Sequence, residues 1–160
     1  MTGEPARLDT QDALAGAIAA LCDATGRDLM VYVPRPDAPL WSSAGVVDAL
    51  RGFVTARSQR QVLLLFGHPE TLARDHAPLV TIAQRLPSLI LLRAADPDFA
   101  RPAEQAFVAS DRGQMLLFDS GDRLAATRTD AGERVRPLVA RFGEAWERAR
   151  PLSELRALGL

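Results

Sequence analysis

Three short, continuously apolar segments recur in the first 93 residues and restrict the fold class more than any other feature. They read DLMVYVP (28–34), QVLLLFG (61–67) and LILLR (89–93). Such runs, bounded by turn residues and without polar alternation, predict strands that are buried on both faces of a sheet. Segments with apolar residues at helical spacing lie before and between them. This alternation predicts an α/β fold with parallel central strands.

The predicted helices have candidate boundaries in the sequence. Asp9 or Thr10 could cap the first helix, and Ser42 or Ser43 could cap the second. The third segment, residues 69–87, begins with a proline in its first turn, and we expect a break at Pro78.

The pattern changes after the third strand. AFVAS (106–110) and QMLLF (114–118) flank the turn signal Asp111-Arg112-Gly113, which predicts a hairpin. After the turn DSGD (119–122), RLAAT (123–127) predicts a third, short antiparallel strand. Residues 135–149 carry the apolar stripe of a closing helix, whose regular part is expected to start at Pro137. The sequence thus predicts a single domain over 1–160, with a mixed sheet, parallel central strands, a C-terminal antiparallel hairpin and a closing C-terminal helix.

Composition narrows the class of function. The chain is 48% hydrophobic and 24% charged, which is typical of a globular protein, and its net charge of −1 offers no general attraction to nucleic acid or anionic membrane. No apolar run reaches the ~18 residues of a membrane span. Glu4, Asp9 and Asp12 precede the apolar stretch at 13–22, where a signal peptide carries positive charge. We therefore expect a cytoplasmic protein without a membrane span.

The chain lacks the residues that several kinds of catalysis require. All nineteen cationic side chains are arginine, so the chain has no lysine for a Schiff base or a phosphate loop. Cys22 is the single cysteine, and its place in an apolar helix predicts a buried, inert thiol. His68 and His76 lie eight residues apart without a third ligand nearby, so no metal is expected. There is no G-x-S-x-G elbow or dinucleotide fingerprint, and no cofactor is expected.

The candidate ligand-binding residues lie near the ends of the predicted strands. His68 follows the second strand at its carboxyl end, where ligands collect in open α/β sheets. Arg85 and Arg93 bracket the third strand, and Arg35 follows the first. Arginine forks suit phosphates and carboxylates, but arginines at strand ends are also commonly solvated or paired with acids. Both interpretations stay open at this point.

The order of these elements resembles a phospholipase-D-like domain. AQRLPSLILLR (83–93), FGEAW (142–146) and ELRAL (154–158) more closely resemble an uncharacterised family of small bacterial domains with that fold. The resemblance extends over nearly the whole chain. None of these motifs is catalytic.

Active phospholipase D relatives carry H-x-K-x-x-x-x-D in the hairpin. In that motif the His forms a phosphohistidine and the Lys holds the phosphoryl oxygens. The same spacing on EQAFVASD (104–111) places Glu104 at the His position and Ala106 at the Lys position, and only Asp111 matches. A Glu carboxylate would repel a phosphodiester, and Ala removes the cation that stabilises developing negative charge. The resemblance therefore implies a degenerate motif.

The leading hypothesis is a catalytically inactive phospholipase-D-like domain that acts as a binding or regulatory module. The resemblance also implies a possible homodimer, and a protein partner is conceivable. One alternative is a hydrolase or transferase with a relocated site that uses His68, Glu104 and Arg93. The other is a nucleic-acid or phosphate-binding module, which would need its arginines on one face. Those arginines are Arg35, Arg57, Arg60, Arg85 and Arg93.

Overall fold

The computed structural model describes residues 7–36, 38–120 and 124–157. The strands are β1 (Arg7–Leu8), β2 (Asp28–Val33), β3 (Gln61–Phe66), β4 (Ile90–Ala94), β5 (Phe107–Ala109), β6 (Met115–Phe118), β7 (Ala126–Thr129) and β8 (Arg150–Pro151). The helices are α1 (Gln11–Asp23), α2 (Ala44–Ala56), α3 (Leu72–Asp75), α4 (Ala77–Arg85), α5 (Gly132–Arg148) and α6 (Ser153–Ala157), with a 3-10 turn at Pro39–Ser42.

The strands form one mixed sheet in the order β1-β7-β6-β5-β2-β3-β4-β8. β2 pairs with β3, and β3 with β4, in parallel, whereas the remaining pairs are antiparallel. The predicted fold class is thereby confirmed. β2, β3 and β4 end at one edge of the sheet, here called the carboxyl edge, and begin at the opposite amino edge. Since β5 runs antiparallel to β2, its first residue, Phe107, lies opposite Tyr32 near the carboxyl edge.

The two faces of the sheet are covered unequally. The first face carries α1, α2, α4 and the 3-10 turn, and its core includes residues such as Ile18, Leu50 and Leu64, each at most 1% exposed. The second face carries α5, whose Phe142 and Trp146 pack toward the aromatic side chains of β2 and β5. Aromatic pairs of this kind stabilise a fold by roughly 0.5–1.5 kcal/mol each beyond their burial. The apolar stripe predicted from the sequence is therefore the surface by which α5 attaches to the sheet.

Side-chain caps fix the starts of the first two long helices. The Thr10 hydroxyl accepts a 3.1 Å hydrogen bond from the Ala13 N–H, and the Ser43 hydroxyl accepts one of 3.4 Å from the Val46 N–H. In the hairpin turn, Gly113 has φ +86°, a conformation that favours glycine. The predicted hairpin is confirmed, with β5 paired to β6.

Two helix boundaries differ from the prediction. The segment at 69–87 breaks at His76, and Pro78 is the second residue of α4, where its missing N–H has no intrahelical acceptor to lose. The closing helix begins at Gly132, with Pro137 inside it. Pro137 is exposed, so the Glu133 carbonyl that loses its intrahelical donor lies on the solvent side of the helix.

The strand pattern differs at the edges of the sheet. The third antiparallel strand is Ala126–Thr129 and not 123–127, and residues 121–123 lie outside the described part of the chain. β1 and β8 have two residues each and were not predicted, because so short a strand has no periodicity. Among the residues that the structure describes, no helix is long and apolar enough to cross a membrane.

Candidate ligand-binding site

A cleft of about 120 Å³ opens at the carboxyl edge, where β2, β3 and β4 end beside α5. Its polar side chains are those of Tyr32, His68, Asp96 and Arg101. Pro34, Pro97 and Phe99 are among its apolar walls. The crevice outside the carboxyl ends of parallel strands is the usual ligand site of open α/β sheets. Of the sequence candidates, His68 lies in this cleft.

A close backbone approach at Gly67 shapes the cleft. Gly67 follows β3 directly, and its N–H donates a 3.0 Å hydrogen bond to the Val33 carbonyl. A Cβ on Gly67 would lie 2.7 Å from the Pro34 carbonyl oxygen, closer than real Cβ contacts allow. Only glycine fits here, and it brings His68 next to the segment that leaves β2.

Tyr32 is the most buried polar residue of the cleft. It is 2% exposed, and its ring packs 5.7 Å from that of Phe107. Within the described residues, no group forms a hydrogen bond with its hydroxyl. Burial raises the pKa of Tyr32, although the nearby Arg101 opposes the shift. The hydroxyl therefore stays protonated at neutral pH and can donate to a bound acceptor.

Arg101 links the cleft to the first position of the degenerate motif. Its guanidinium lies 3.5 Å from the Glu104 carboxylate, and both side chains are mostly exposed, at 60% and 77%. A pair of this length and exposure stabilises the fold by little. Ala106, at the motif's Lys position, packs against the core on the first face of the sheet. The two positions thus present a carboxylate and a methyl group.

Asp111 lies at the other end of the hairpin. Ala109 is opposite Met30, so Asp111 reaches the start of β2 at the amino edge. Its carboxylate accepts hydrogen bonds from the N–H groups of Gly26 (2.8 Å), Arg27 (2.7 Å) and Asp28 (3.1 Å). Partial burial by itself would raise the pKa of Asp111, but these three donors hold it below its usual value. Asp111, the one residue that matches the motif, therefore joins the hairpin turn to the loop between α1 and β2, far from His68.

The arginines predicted from the sequence are divided between the two edges. Arg35 is exposed just after β2 at the carboxyl edge, and Arg85 is exposed at the end of α4, near the amino edge. Arg93 donates a 2.8 Å hydrogen bond to the Trp146 carbonyl and lies 4.4 Å from the centre of its ring. Arg60 donates to three backbone carbonyls between α1, α2 and β3, those of Thr25, Gly26 and Phe53. The guanidinium groups therefore do not converge on one surface.

His76 is directed into the protein. It is 2% exposed, and its Nε2 is hydrogen-bonded to the Pro36 carbonyl. Asp75 pairs instead with Arg74, at 2.9 Å on the surface. Across the described ranges, no three His, Cys, Asp or Glu side chains are grouped as metal ligands.

Sequence reasoning missed Tyr32, Phe99 and Arg101 as cleft residues. Tyr32 lies within an apolar strand, where its hydroxyl gives no separate signal. Phe99 and Arg101 lie in the connection between β4 and β5, whose path no periodic pattern predicts. The one available signal was the expected position of the crevice, which pointed to His68 alone.

A known protein family and several solved structures are similar to this chain. A family model described as "Domain of unknown function (DUF7931)" matches residues 10–158. A search of curated proteins finds no match.

Solved structures with a similar fold are also found. NucT from Helicobacter pylori has a TM-score of 0.68 at 7% identity over 93% of this chain and 99% of its own. Nuc from Salmonella typhimurium, a phospholipase D family member, has a TM-score of 0.63 at 11% identity over 92% of this chain and 98% of its own. TrmBL2, an archaeal chromatin protein with a novel mode of DNA binding, has a TM-score of 0.61 at 12% identity. That match covers 95% of this chain, which spans only about half (54%) of TrmBL2. The expected phospholipase-D-like fold is confirmed.

Proposed function

The chain belongs to the DUF7931 family and has a phospholipase-D-like fold, and from that premise we propose that it is a binding module without phosphodiesterase chemistry. The observation that carries the proposal is the pair of side chains at the degenerate motif. Glu104 and Ala106 stand where active relatives have the nucleophile and the phosphate-holding cation.

The surroundings of the motif support the same conclusion. No lysine exists to replace the missing cation, and the Arg101 guanidinium lies 3.5 Å from the Glu104 carboxylate, which partly offsets its charge. Electrostatic stabilisation of the transition state is usually the largest catalytic term. Asp111 is engaged by three backbone amides at the opposite edge. A phosphodiester at Glu104 would therefore meet a carboxylate and a guanidinium that is already paired with it.

The relocated hydrolase built on His68, Glu104 and Arg93 has less support. Arg93 would have to leave both the Trp146 carbonyl and the Trp146 ring before it could bind a substrate. His68 remains available in the cleft, which favours a binding role for that histidine.

A turnover assay tests the proposal. Purified protein would be incubated with bis(p-nitrophenyl) phosphate, with an active phospholipase D relative as positive control. We expect no hydrolysis above the buffer background. Hydrolysis that is lost in both His68→Ala and Glu104→Gln, but kept in the exposed α5 variant Glu144→Gln, would contradict the proposal and support the relocated enzyme.

The DNA binding of TrmBL2 suggests a second arm of the same experiment. Short duplex and single-stranded DNA would be titrated at low salt, where phosphate contacts are strongest. We expect no saturable binding, because the net charge is −1 and the arginines are divided between two edges. Tight, salt-dependent binding would instead identify a nucleic-acid module.

The homodimer implied by the resemblance remains a prediction. Sedimentation equilibrium of the purified chain measures it directly. A mass near 17.3 kDa at all concentrations would indicate a monomer, and twice that mass would indicate the dimer.

A further inference from the structure

We propose that the cleft at the carboxyl edge binds the carboxylate group of a small organic acid, with Tyr32, His68 and Arg101 as its polar contacts and Phe99 as its apolar wall. This inference rests on the proposed binding function and names the class of ligand. Of the degenerate motif, Ala106 packs on the other face of the sheet, and Glu104 adjoins the cleft only through its pairing with Arg101.

The Tyr32 hydroxyl is the first reason. Tyr32 as a residue is only 2% exposed, yet its hydroxyl is not enclosed by protein: it opens into the cleft, where solvent reaches it. The residue lines the cleft, and within the described part of the chain nothing accepts from its hydroxyl. A ligand acceptor in the cleft would satisfy this donor.

The remaining polar side chains define the charge of that acceptor. Arg101 lines the cleft as a guanidinium, and His68 offers a ring nitrogen, so two further donors are available for an oxyanion. The Asp96 carboxylate also lines the cleft and accepts a 2.9 Å hydrogen bond from the Asp98 N–H. Glu104 lies 3.5 Å from Arg101. With the Asp96 carboxylate in the cleft lining and the Glu104 carboxylate paired with Arg101, a dianion such as a phosphate monoester is disfavoured, whereas a monoanionic carboxylate adds only one charge.

The walls of the cleft define the rest of the ligand. Pro34, Pro97 and Phe99 present apolar surface, and the Arg148 guanidinium lies 4.8 Å from the centre of the Phe99 ring and supports it. The volume of about 120 Å³ approaches that of the ~150 Å³ apolar cavity that holds benzene in a well-studied engineered protein. The cleft continues past His68 into a wider depression of about 720 Å³, where a longer ligand could extend. An organic acid with a flat or short apolar body fits these dimensions.

The test is a set of NMR titrations of ¹⁵N-labelled protein with three probes of similar shape: benzoate, its neutral analogue benzamide, and phenyl phosphate. We expect benzoate to shift the amide signals of Gly67, His68 and Ala95 in a saturable way. Benzamide and phenyl phosphate should bind at least about fivefold more weakly. Equal responses to benzoate and benzamide, preferred binding of phenyl phosphate, or no response at these amides would overturn the inference.

Matched variants test the named contacts. Tyr32→Phe removes only the hydroxyl, and it should weaken benzoate binding about tenfold, as expected for a hydrogen bond to a charged group. Arg101→Gln, at an exposed position that leaves folding intact, should weaken it by a similar factor. Arg134→Gln, an exposed arginine of α5 outside the cleft, should change nothing. Unchanged affinity in both Tyr32→Phe and Arg101→Gln would refute the site even if benzoate binds.

The two proposals fail in different ways. Absence of turnover together with absence of benzoate binding would overturn only the ligand class. Turnover of the phosphodiester together with benzoate binding would overturn only the non-catalytic function.

Discussion

The carboxylate of Asp111 accepts a 2.7 Å hydrogen bond from the backbone N–H of Arg27, which joins the β5–β6 turn to the start of β2. The same carboxylate also holds the N–H groups of Gly26 and Asp28. By its spacing Asp111 matches a catalytic motif, yet its contacts are those of a structural carboxylate. Its removal should therefore affect folding.

We expect Asp111→Ala to lower the free energy of unfolding by about 1–3 kcal/mol, because three backbone donors lose a charged acceptor at a partly exposed site. Urea unfolding followed by circular dichroism would measure the change. Asp98→Ala is a suitable comparison, since Asp98 is exposed and its carboxylate has no partner within the described residues. A loss no greater than in Asp98→Ala would show that the three hydrogen bonds do not stabilise the fold.

The contribution of Asp111 should also depend on pH. Its pKa is lower in the folded protein than the ordinary value of about 3.9 in an unfolded chain. The folded state thus favours the charged form, and the stabilisation is fully present above about pH 4 and lost as the pH falls through the lowered pKa. The difference in unfolding free energy between the wild type and Asp111→Asn should be largest near pH 7 and shrink below pH 4. A difference that is the same at pH 3 and pH 7 would contradict the lowered pKa.

Arg93 should behave as a structural residue as well. Arg93→Ala removes a hydrogen bond to the Trp146 carbonyl and a contact with the Trp146 ring, and the expected loss is about 1–3 kcal/mol. Arg85→Ala, at an exposed helix end, should stay within about 0.5 kcal/mol. Thermal or urea unfolding measures both. If Arg93→Ala left stability unchanged but abolished ligand binding, the sequence-based interpretation of Arg93 as a ligand contact would be restored.

The contrast between Arg93 and His68 shows what the sequence could and could not predict. Strand order along the chain, the apolar stripe of α5 and the hairpin turn follow from local patterns, and the crevice rule leads to His68, which lines the cleft at the carboxyl edge. Whether an arginine at a strand end meets solvent, a ligand or an indole depends on which helix crosses that strand. No local pattern specifies that α5 brings Trp146 onto Arg93. The hydrogen bonds of Asp111 could not be predicted for the same reason, because their donors lie more than eighty positions away along the chain.

Cys22 should be unreactive in the folded protein. Its thiol is 4% exposed, and burial, reinforced by the neighbouring Asp23, raises its pKa to about 12. Because the thiolate is the reactive form, a chromogenic disulfide reagent at pH 8 should release no colour from the native chain and one equivalent after unfolding in guanidinium chloride. Rapid release from the native protein would mean that the α1 side of the core opens readily.

A pair of glycine variants tests the backbone approach that shapes the cleft. Alanine at Gly67 would place a Cβ 2.7 Å from the Pro34 carbonyl oxygen, so the segments after β2 and β3 must separate. We expect Gly67→Ala to lower the unfolding free energy by about 1–3 kcal/mol, the usual cost of overpacking, and to weaken benzoate binding at His68. Alanine at Gly143, an α5 position with nothing within 4 Å of an added Cβ, should instead raise stability by up to about 1 kcal/mol, because alanine favours the helix. Urea unfolding of the two variants beside the wild type gives opposite signs if the contact is as tight as described. Stabilisation by Gly67→Ala would mean that the segments after β2 and β3 lie farther apart and that the cleft beside His68 has a different shape.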